Sequence, residues 1–496
     1  MTPTQLLPRG RRLAAAAGLA VAAAALAACN TDNLVSVETP DVVQPGDVQS
    51  VTALPSVFNA AVGDFGVAYQ GSNGTEGQIL YGGLLGDELL LSDTFDTRRQ
   101  IDRRDIVRDN SNNEAVYRQL QRARVSAERS ADAYLRLQPD QASQAEAQSL
   151  AGYTYVLFAE NYCGAVPFSS IDANAQQVFG KPQTTQQMLA TAAAKFDSSL
   201  ALATKINNVN LQRLARVGKA RVLVDQGLYA DAAATVASVP TDFAYTTFSS
   251  DNSTRQYNGV FAFNRNARRF SVARAEGTNG LAFRSDRATQ GDATVDPRVL
   301  VVRGNGNTGN GFDGTPLYVA VKYSEFASST VLASGVEARL IEAEAALNGA
   351  NGQTYAQALT TLNTLRGNAV LSACPLTGVT LTNFACPATP RTLPALTDPG
   401  TQAGRVQQLF SERAFWLYLT AHRLGDLRRL ARGTPSAANA ANGLSAYGLG
   451  ADAVFPVGNY VPFAGSTYGK NTSLPVPFSE ESNPNYKGSQ CDNVTP

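Results

Sequence analysis

Residues Leu211 to Val239 read LQRLARVGKARVLVDQGLYADAAATVASV. Apolar or alanine residues recur at i, i+3 and i+4 spacing from Leu211 to Gln226, which predicts an amphipathic helix there. Gly227-Leu228-Tyr229 interrupts the period, Ala230 to Val239 resumes it, and Pro240 stops it. The unit is a helix, a glycine turn and a second helix opened by a tyrosine. The same plan returns downstream, from Glu337 through Ala346, a turn at Gly349 and Gly352, and Tyr355 to Leu365. In both units the first helix is lined with alanine, and alanine recurs three residues after the tyrosine, at Ala232 and Ala358.

A unit of this kind resembles the tetratricopeptide repeat, in which small residues let two helices pack closely and a tyrosine fills the remaining gap. Helical period also marks Glu114 to Leu137, Ala142 to Tyr162, Thr185 to Ile206, Val331 to Asn348, Tyr355 to Arg366 and Gln402 to Ala431. Residues 48–240 and 331–432 therefore read as two parts of one helical scaffold. Residues 241–330 differ: they are rich in Gly, Asn, Ser, Thr and aromatics, with no sustained helical period. That texture predicts short strands and long loops, and loops on a rigid scaffold are where binding is usually located. Residues 433–496 have a similar Gly/Pro/Asn texture. The expected fold is mainly α, a tetratricopeptide-like helical-repeat scaffold with a loop-rich insert containing short strands.

The 496-residue chain balances 41 Lys+Arg against 41 Asp+Glu, is 44% hydrophobic and 17% charged, and has one histidine. Its length allows a large core. Balanced charge argues against a surface built to hold nucleic acid, and a single histidine excludes His-rich metal sites and leaves little room for a His-based triad. Residues 1–28 read as a signal peptide. Arg9, Arg11 and Arg12 precede an uncharged run from Leu13 to Ala28, which is shorter than the roughly 17 to 25 residues of a membrane-spanning helix. Leu26-Ala27-Ala28-Cys29 resembles the bacterial lipobox, which makes Cys29 the expected lipidation site. Residues 29–47 are polar and read as an extended arm between the anchor and the body. Four cysteines remain in the mature chain. Cys374 and Cys386 lie in one stretch that a bridge would close, which leaves Cys163 and Cys491 as the default second pair.

Several motifs have a defined order along the chain. Ser411-Glu412-Arg413-Ala414-Phe415-Trp416-Leu417-Tyr418 leads into Ala421-His422-Arg423-Leu424-Gly425-Asp426-Leu427-Arg428-Arg429. Leu474-Pro475-Val476-Pro477 follows, with Glu480 and Asn483-Pro484, while Ala147 to Phe168 (AQSLAGYTYVLFAENYCGAVPF) and Gly86-Asp87-Glu88 stand earlier. Together these resemble the SusD/RagB family: its E-R helix running into H-R-x-x-D-L-R-R, its closing L-P-[IV]-P segment, and its helix ending in a G-x-V-P-[FY] turn. Leu424 departs from that pattern where a large aromatic is common, and Cys163 sits in the Tyr-Gly turn, where it supports an extra disulfide. The resemblance implies four tetratricopeptide-like pairs supporting a loop-rich ligand-binding half. It further implies a non-catalytic outer-membrane lipoprotein that lids a SusC-like TonB-dependent β-barrel transporter and delivers oligosaccharide, or in some branches peptide, to it. No cofactor or metal is implied.

Glu412, Arg413, His422, Arg423, Asp426 and Arg428 invite an acid/base reading. On one continuous helix, however, His422 and Asp426 are four residues apart and no opposed carboxylate faces the histidine locally. Side-chain pairing that orders the helix against its neighbours is the preferred reading. Trp416 is expected in the core. Glycan binding needs aromatic faces for the C–H side of a sugar ring and planar polar groups for its hydroxyls. Arg255, Tyr257 and Asn258, then Phe283, Arg284 and Asp286, supply both in the insert, and Tyr69, Asn73 and Tyr81 form a second candidate cluster. The acidic run Asp87, Glu88, Asp93, Asp96 and Asp102 lacks EF-hand spacing and is interrupted by arginines, so it reads as a solvated or salt-bridged segment. Arg303 to Gly314 is glycine-rich without the G-K-[ST] of a P-loop and reads as a surface loop. A glycosidase would need two opposed carboxylates, and no recognisable pair is present. A third class, a structural envelope scaffold, would bind no small ligand.

Overall fold

The computed structural model describes residues 50–172, 176–276, 281–304, 309–368, 393–432, 447–460 and 465–496. Among them are twelve helices of seven residues or more: α1 (Leu54–Gln70), α2 (Gln78–Leu85), α3 (Asp96–Asp102), α4 (Ser111–Leu137), α5 (Ala142–Asn161), α6 (Thr185–Lys205), α7 (Val209–Asp225), α8 (Tyr229–Val236), α9 (Gly335–Leu347), α10 (Tyr355–Gly367), α11 (Gln402–Trp416) and α12 (Arg423–Arg432). Short polar side chains set where several of them begin. Asn110, Asn208 and Ser334 accept from the backbone N–H groups of Asn113, Leu211 and Glu337, satisfying donors that a first helical turn leaves open. Thr184 and Gln187 form a reciprocal capping box at α6. Gly227 and Gly349, at φ 75° and 69°, turn the chain out of α7 and α9 through a conformation that side chains disfavour.

The helices stack in chain order. α4 packs on α1 and α5, α5 on α6, α6 on α7, α7 on α8 and α9, and α9 on α10 and α11. Both sequence-derived pairs are present as α7/α8 and α9/α10, with Tyr229, Ala232, Tyr355 and Ala358 buried between their helices. Phe196 of α6 shows why small residues are needed. A Cβ on Gly218 of α7 would lie 2.3 Å from its ring, and one on Gly152 of α5 would lie 2.9 Å from it. α1, with the turn before it, is long and apolar enough to cross a membrane by length and composition. It is nevertheless a scaffold helix here, packed on α4 and α5, and its buried Asp64 is paired with Arg122 and Arg255.

The insert consists of short antiparallel pairings. Ala244–Thr247 pairs with Thr330–Ser334, and Gly291–Asp292, Val301–Arg303 and Tyr318–Ala320 form a three-stranded sheet. Phe270–Val272 pairs with Leu89–Leu91, so the N-terminal part of the chain is hydrogen-bonded directly into the insert. At the other end, Cys163 N–H donates to the Leu474 carbonyl at 3.0 Å and Leu474 N–H to the Asn161 carbonyl at 2.8 Å. A Cys163–Cys491 disulfide closes this junction. Cys374 and Cys386, like Cys29 and the signal peptide, lie outside the described residues.

Two expectations are corrected. The helical period beginning at Val331 covers a strand end, because Thr330–Ser334 pairs with Ala244–Thr247 and the helix starts only at Gly335. The period from Gln402 to Ala431 covers two helices, α11 and α12, separated at Leu417–His422, where Leu419 and Ala421 have φ of 51° and 56°.

Candidate functional site

The break between α11 and α12 is held from outside. Each carbonyl from Leu417 to Ala421 accepts a hydrogen bond from a side chain: Thr420 Oγ1 to Leu417 (2.5 Å), Lys322 Nζ to Tyr418 (2.5 Å), Tyr323 OH to Leu419 (2.8 Å), Tyr69 OH to Thr420 (2.9 Å) and Arg221 to Ala421 (2.7 Å). Leu419 N–H donates to Glu88 at 2.8 Å. Buried backbone groups must be satisfied, and here segments from the whole chain converge to satisfy them.

The charged motif residues surround this loop and are buried. Arg413 grips Asp426 through two bonds of 2.8 Å, and Arg429 adds a third at 2.7 Å. Burial opposes ionisation of Asp426, but Arg413 and Arg429 outweigh it and hold the carboxyl well below the usual range. Arg428 reaches the carbonyls of Ala159, Glu160 and Tyr162 at 3.0, 2.7 and 3.0 Å, capping the end of α5. Arg423 donates to the Phe410 carbonyl at 3.3 Å. Glu412 joins the insert to the scaffold, since Arg298 of the insert and Arg366 of α10 bind its two oxygens at 2.7 and 2.6 Å. Trp416 Nε1 donates to the same carboxylate at 3.2 Å. A carboxylate does face His422, though from a distant helix: Glu337 of α9 lies 3.0 Å from Nε2. The local helical geometry gave no sign of it. Arg221 lies 3.1 Å from the same nitrogen, and Nδ1 lies 2.8 and 2.9 Å from Thr420 O and Oγ1. Burial, with Arg221 beside it, pulls the His422 pKa down. Both ring nitrogens are thus committed to protein partners at a residue only 4% exposed.

The exposed chemistry lies elsewhere. Phe95, just ahead of α3, and Phe312, in the turn before Tyr318–Ala320, are 51% and 50% exposed. Between them stands Arg269, its guanidinium carbon 3.6 Å from the Phe312 ring centre and 5.3 Å from that of Phe95. Three backbone bonds join the contributing segments: Ser92 N–H to Arg269 O at 2.9 Å, Phe312 N–H to Arg268 O at 3.0 Å and Asp313 N–H to Ser92 O at 3.2 Å. Beneath them the buried Asp93 carboxylate accepts from Arg269 at 2.6 Å and from Arg98 at 2.7 Å. Arg98 also pairs with Glu76 at 2.5 Å; its burial is outweighed by Glu76 and Asp93, which raise its pKa. The arginines are therefore held in place by buried carboxylates, with the rings beside them. Such a platform offers apolar faces for ring C–H groups, with guanidinium N–H groups beside them for oxygen acceptors.

No protein-family model matches the sequence, and no curated protein does either. Solved structures do match. A SusD/RagB family protein of Bacteroides thetaiotaomicron aligns with a TM-score of 0.57 at 15% identity, covering 92% of this chain and 97% of that one. This chain has the SusD-like fold. A SusD superfamily protein of Bacteroides fragilis aligns with a TM-score of 0.55 at 15% identity, over 88% of this chain and 99% of that one. Another, from Bacteroides vulgatus, gives 0.54 at 14% identity, again over 88% and 99%.

Within this SusD-like fold the sequence-derived ligand candidates separate. Tyr69 and Tyr81 are fully buried on α1 and α2, and Tyr69 serves the interhelical break. Phe283 is also fully buried, packed 5.1 Å from Tyr418 and 5.9 Å from Phe415. Asn258 is buried and caps the turn at Gly259, while its amide donates to Ser328 O at 2.7 Å. Arg284 is nearly buried, bound to Val272 O at 2.8 Å and stacked 3.6 Å over Tyr318. These five are structural because all are buried, and the polar atoms of Tyr69, Asn258 and Arg284 are already bound by the protein. Asp286 is exposed and paired with Arg274 at 2.9 Å. Asn73 is joined to the turn that carries Arg255 and Tyr257, since its N–H donates to Thr254 O at 3.1 Å, but the Arg255 guanidinium is taken by Asp64. Phe95 was missed. The signal available for it is a lone aromatic among Asp and Thr (Asp93-Thr94-Phe95-Asp96-Thr97), repeated as Gly311-Phe312-Asp313.

Proposed function

We propose that the protein is a SusD/RagB-type nutrient-binding lipoprotein, anchored through Cys29 on the outer membrane, which captures an oligosaccharide and delivers it to a SusC-like TonB-dependent barrel without bond chemistry. The observation that carries this reading is the Phe95–Arg269–Phe312 platform, exposed where the segment ahead of α3 meets the loop-rich insert of a SusD-like scaffold. Sugar rings stack on aromatic faces while their hydroxyls take fixed donors, and a capture protein needs nothing further. The lipobox-like Leu26-Ala27-Ala28-Cys29 supports the anchor, and the SusD/RagB-type motif set supports the barrel partner. The commitment of both His422 nitrogens and the burial of Glu337 support a non-catalytic role for the motif residues.

Purification of the tagged, lipidated protein from its native outer membrane in mild detergent, followed by mass spectrometry of what accompanies it, tests this. A co-purifying TonB-dependent barrel is expected, with trapped saccharide naming the ligand class. A non-barrel envelope partner, or release of reducing sugar from polysaccharide by the pure protein, would overturn it.

A further inference from the structure

A second row of rings shares no residue with the Phe95 platform. Tyr257 stacks on Phe326 with ring centres 4.0 Å apart and planes inclined at 26°. Phe326 in turn meets Phe261 edge-on at 4.9 Å, and all three are half-buried. The Arg265 guanidinium carbon stands 5.8 Å from the Phe261 ring centre. Around the row, Asn73 and Gln256 are exposed and offer planar amides.

Arg265 differs from the arginines around it. Arg255 binds Asp64, Arg269 binds Asp93, Arg274 and Arg284 bind Asp286, and Arg298 binds Asp296 and Glu412. Arg268, Arg287 and Arg303 donate to backbone carbonyls. Arg265 makes no hydrogen bond and no ion pair with any described residue. It is half-buried all the same, and that burial, with no carboxylate beside it, draws its pKa below the ordinary arginine value. A guanidinium has five N–H donors in a fixed fork that matches a carboxylate bidentately. One that is partly desolvated without a counter-charge is costly to the folded chain, and an incoming anion removes that cost. Rings beside it favour an anion carried on a cyclic, partly apolar body.

We propose that Tyr257, Phe326, Phe261 and Arg265 form a subsite for a carboxylate-bearing sugar, a uronate, with its ring along the aromatic row and its carboxylate on Arg265. The assignment rests on the oligosaccharide-binding reading and narrows it to acidic glycans.

The test is calorimetric titration of the full mature chain with galacturonate, glucuronate and mannuronate tetramers, each beside its carboxyl-reduced neutral counterpart, with maltotetraose and a triglutamate peptide as further probes. At least one uronide is expected to bind tenfold or more tighter than its reduced partner and than the peptide. Arg265→Gln is expected to abolish that ratio by bringing uronide affinity down to that of the reduced sugar. Arg265→Lys should keep part of it, and Tyr257→Ala should weaken both members of the pair together. If neutral tetrasaccharides bind and no uronide is preferred, or if Arg265→Gln leaves the ratio intact, the acidic subsite is wrong and the oligosaccharide reading stands. If triglutamate matches the best uronide, the sugar assignment is overturned in favour of a peptide carboxylate. If no saccharide binds at all, the broader reading fails with it.

Discussion

Arg269 is useful for binding only because Asp93 holds it, and Asp93 is buried so that it can do so. Phe312→Ala removes an exposed ring that nothing in the core depends on. It is expected to weaken oligosaccharide binding about 10- to 100-fold, the range of a lost aromatic anchor of roughly 1.4 to 2.8 kcal/mol, while shifting unfolding free energy by less than about 0.5 kcal/mol. Calorimetry and urea titration on the same sample check both halves; unchanged affinity would remove Phe312 from the site. A second residue makes a pH prediction. Asp102 at the end of α3 accepts from Leu91 N–H at 2.9 Å and from the Tyr460 hydroxyl, and burial raises its carboxyl to about 7. Between its ordinary value and about 7, the folded chain binds a proton that the unfolded chain has lost. Its contribution to stability is therefore complete at low pH and disappears as pH rises through about 7. Wild type is expected to lose on the order of 3 kcal/mol from this source between about pH 4 and pH 8. Asp102→Asn should flatten that slope in urea titrations at stepped pH, and parallel curves for the two proteins would refute the assignment.

At the level of elements, periodicity located α4, α6, α7, α8 and α10 closely because each has one face on a neighbour and one toward solvent. α5, buried all round from Ser149 to Asn161, is long enough to read as a helix without such a face, whereas a short helix of that kind is not. α2 is buried all round, from Gln78 to Leu85, so it carries no amphipathic period. α11 and α12 read as one helix because both are locally helical, whereas the break between them depends on Tyr69, Arg221, Lys322 and Tyr323, residues about 95 to 350 positions away in the chain. The α5/α6/α7 packing supplies a sharper test. Gly218→Ala puts a methyl 2.3 Å from the Phe196 ring, and overpacking of this kind costs about 1 to 3 kcal/mol despite the better helix propensity of alanine. The double variant with Phe196→Leu should recover most of that loss, a non-additivity readable in a double-mutant cycle. Strict additivity would show that the contact is relieved some other way.

Across the whole molecule, two links join distant parts of the chain. Glu412 binds the insert through Arg298 and the scaffold through Arg366. The Cys163–Cys491 disulfide ties the end of α5 to the C-terminal segment across 328 residues of sequence. A cross-link over so long a loop restricts the unfolded chain strongly, so Cys491→Ser is expected to cost about 2 to 5 kcal/mol. Melting of the oxidised wild type should fall toward that of the variant when reductant is added, and a reductant-insensitive melting temperature would contradict this. What the sequence by itself determined is what local chemistry can encode: the caps, the glycine turns, the amphipathic faces of the paired helices, and the order of the E-R, H-R-x-x-D-L-R-R and L-P-V-P motifs. Only the tertiary structure decided which aromatics are exposed. Tyr69, Tyr81 and Phe283 look in sequence much like Phe95 and Phe312. The first three are enclosed by segments far away in the chain and the other two stay half open to solvent, and burial of that kind is set by contacts that no local window contains.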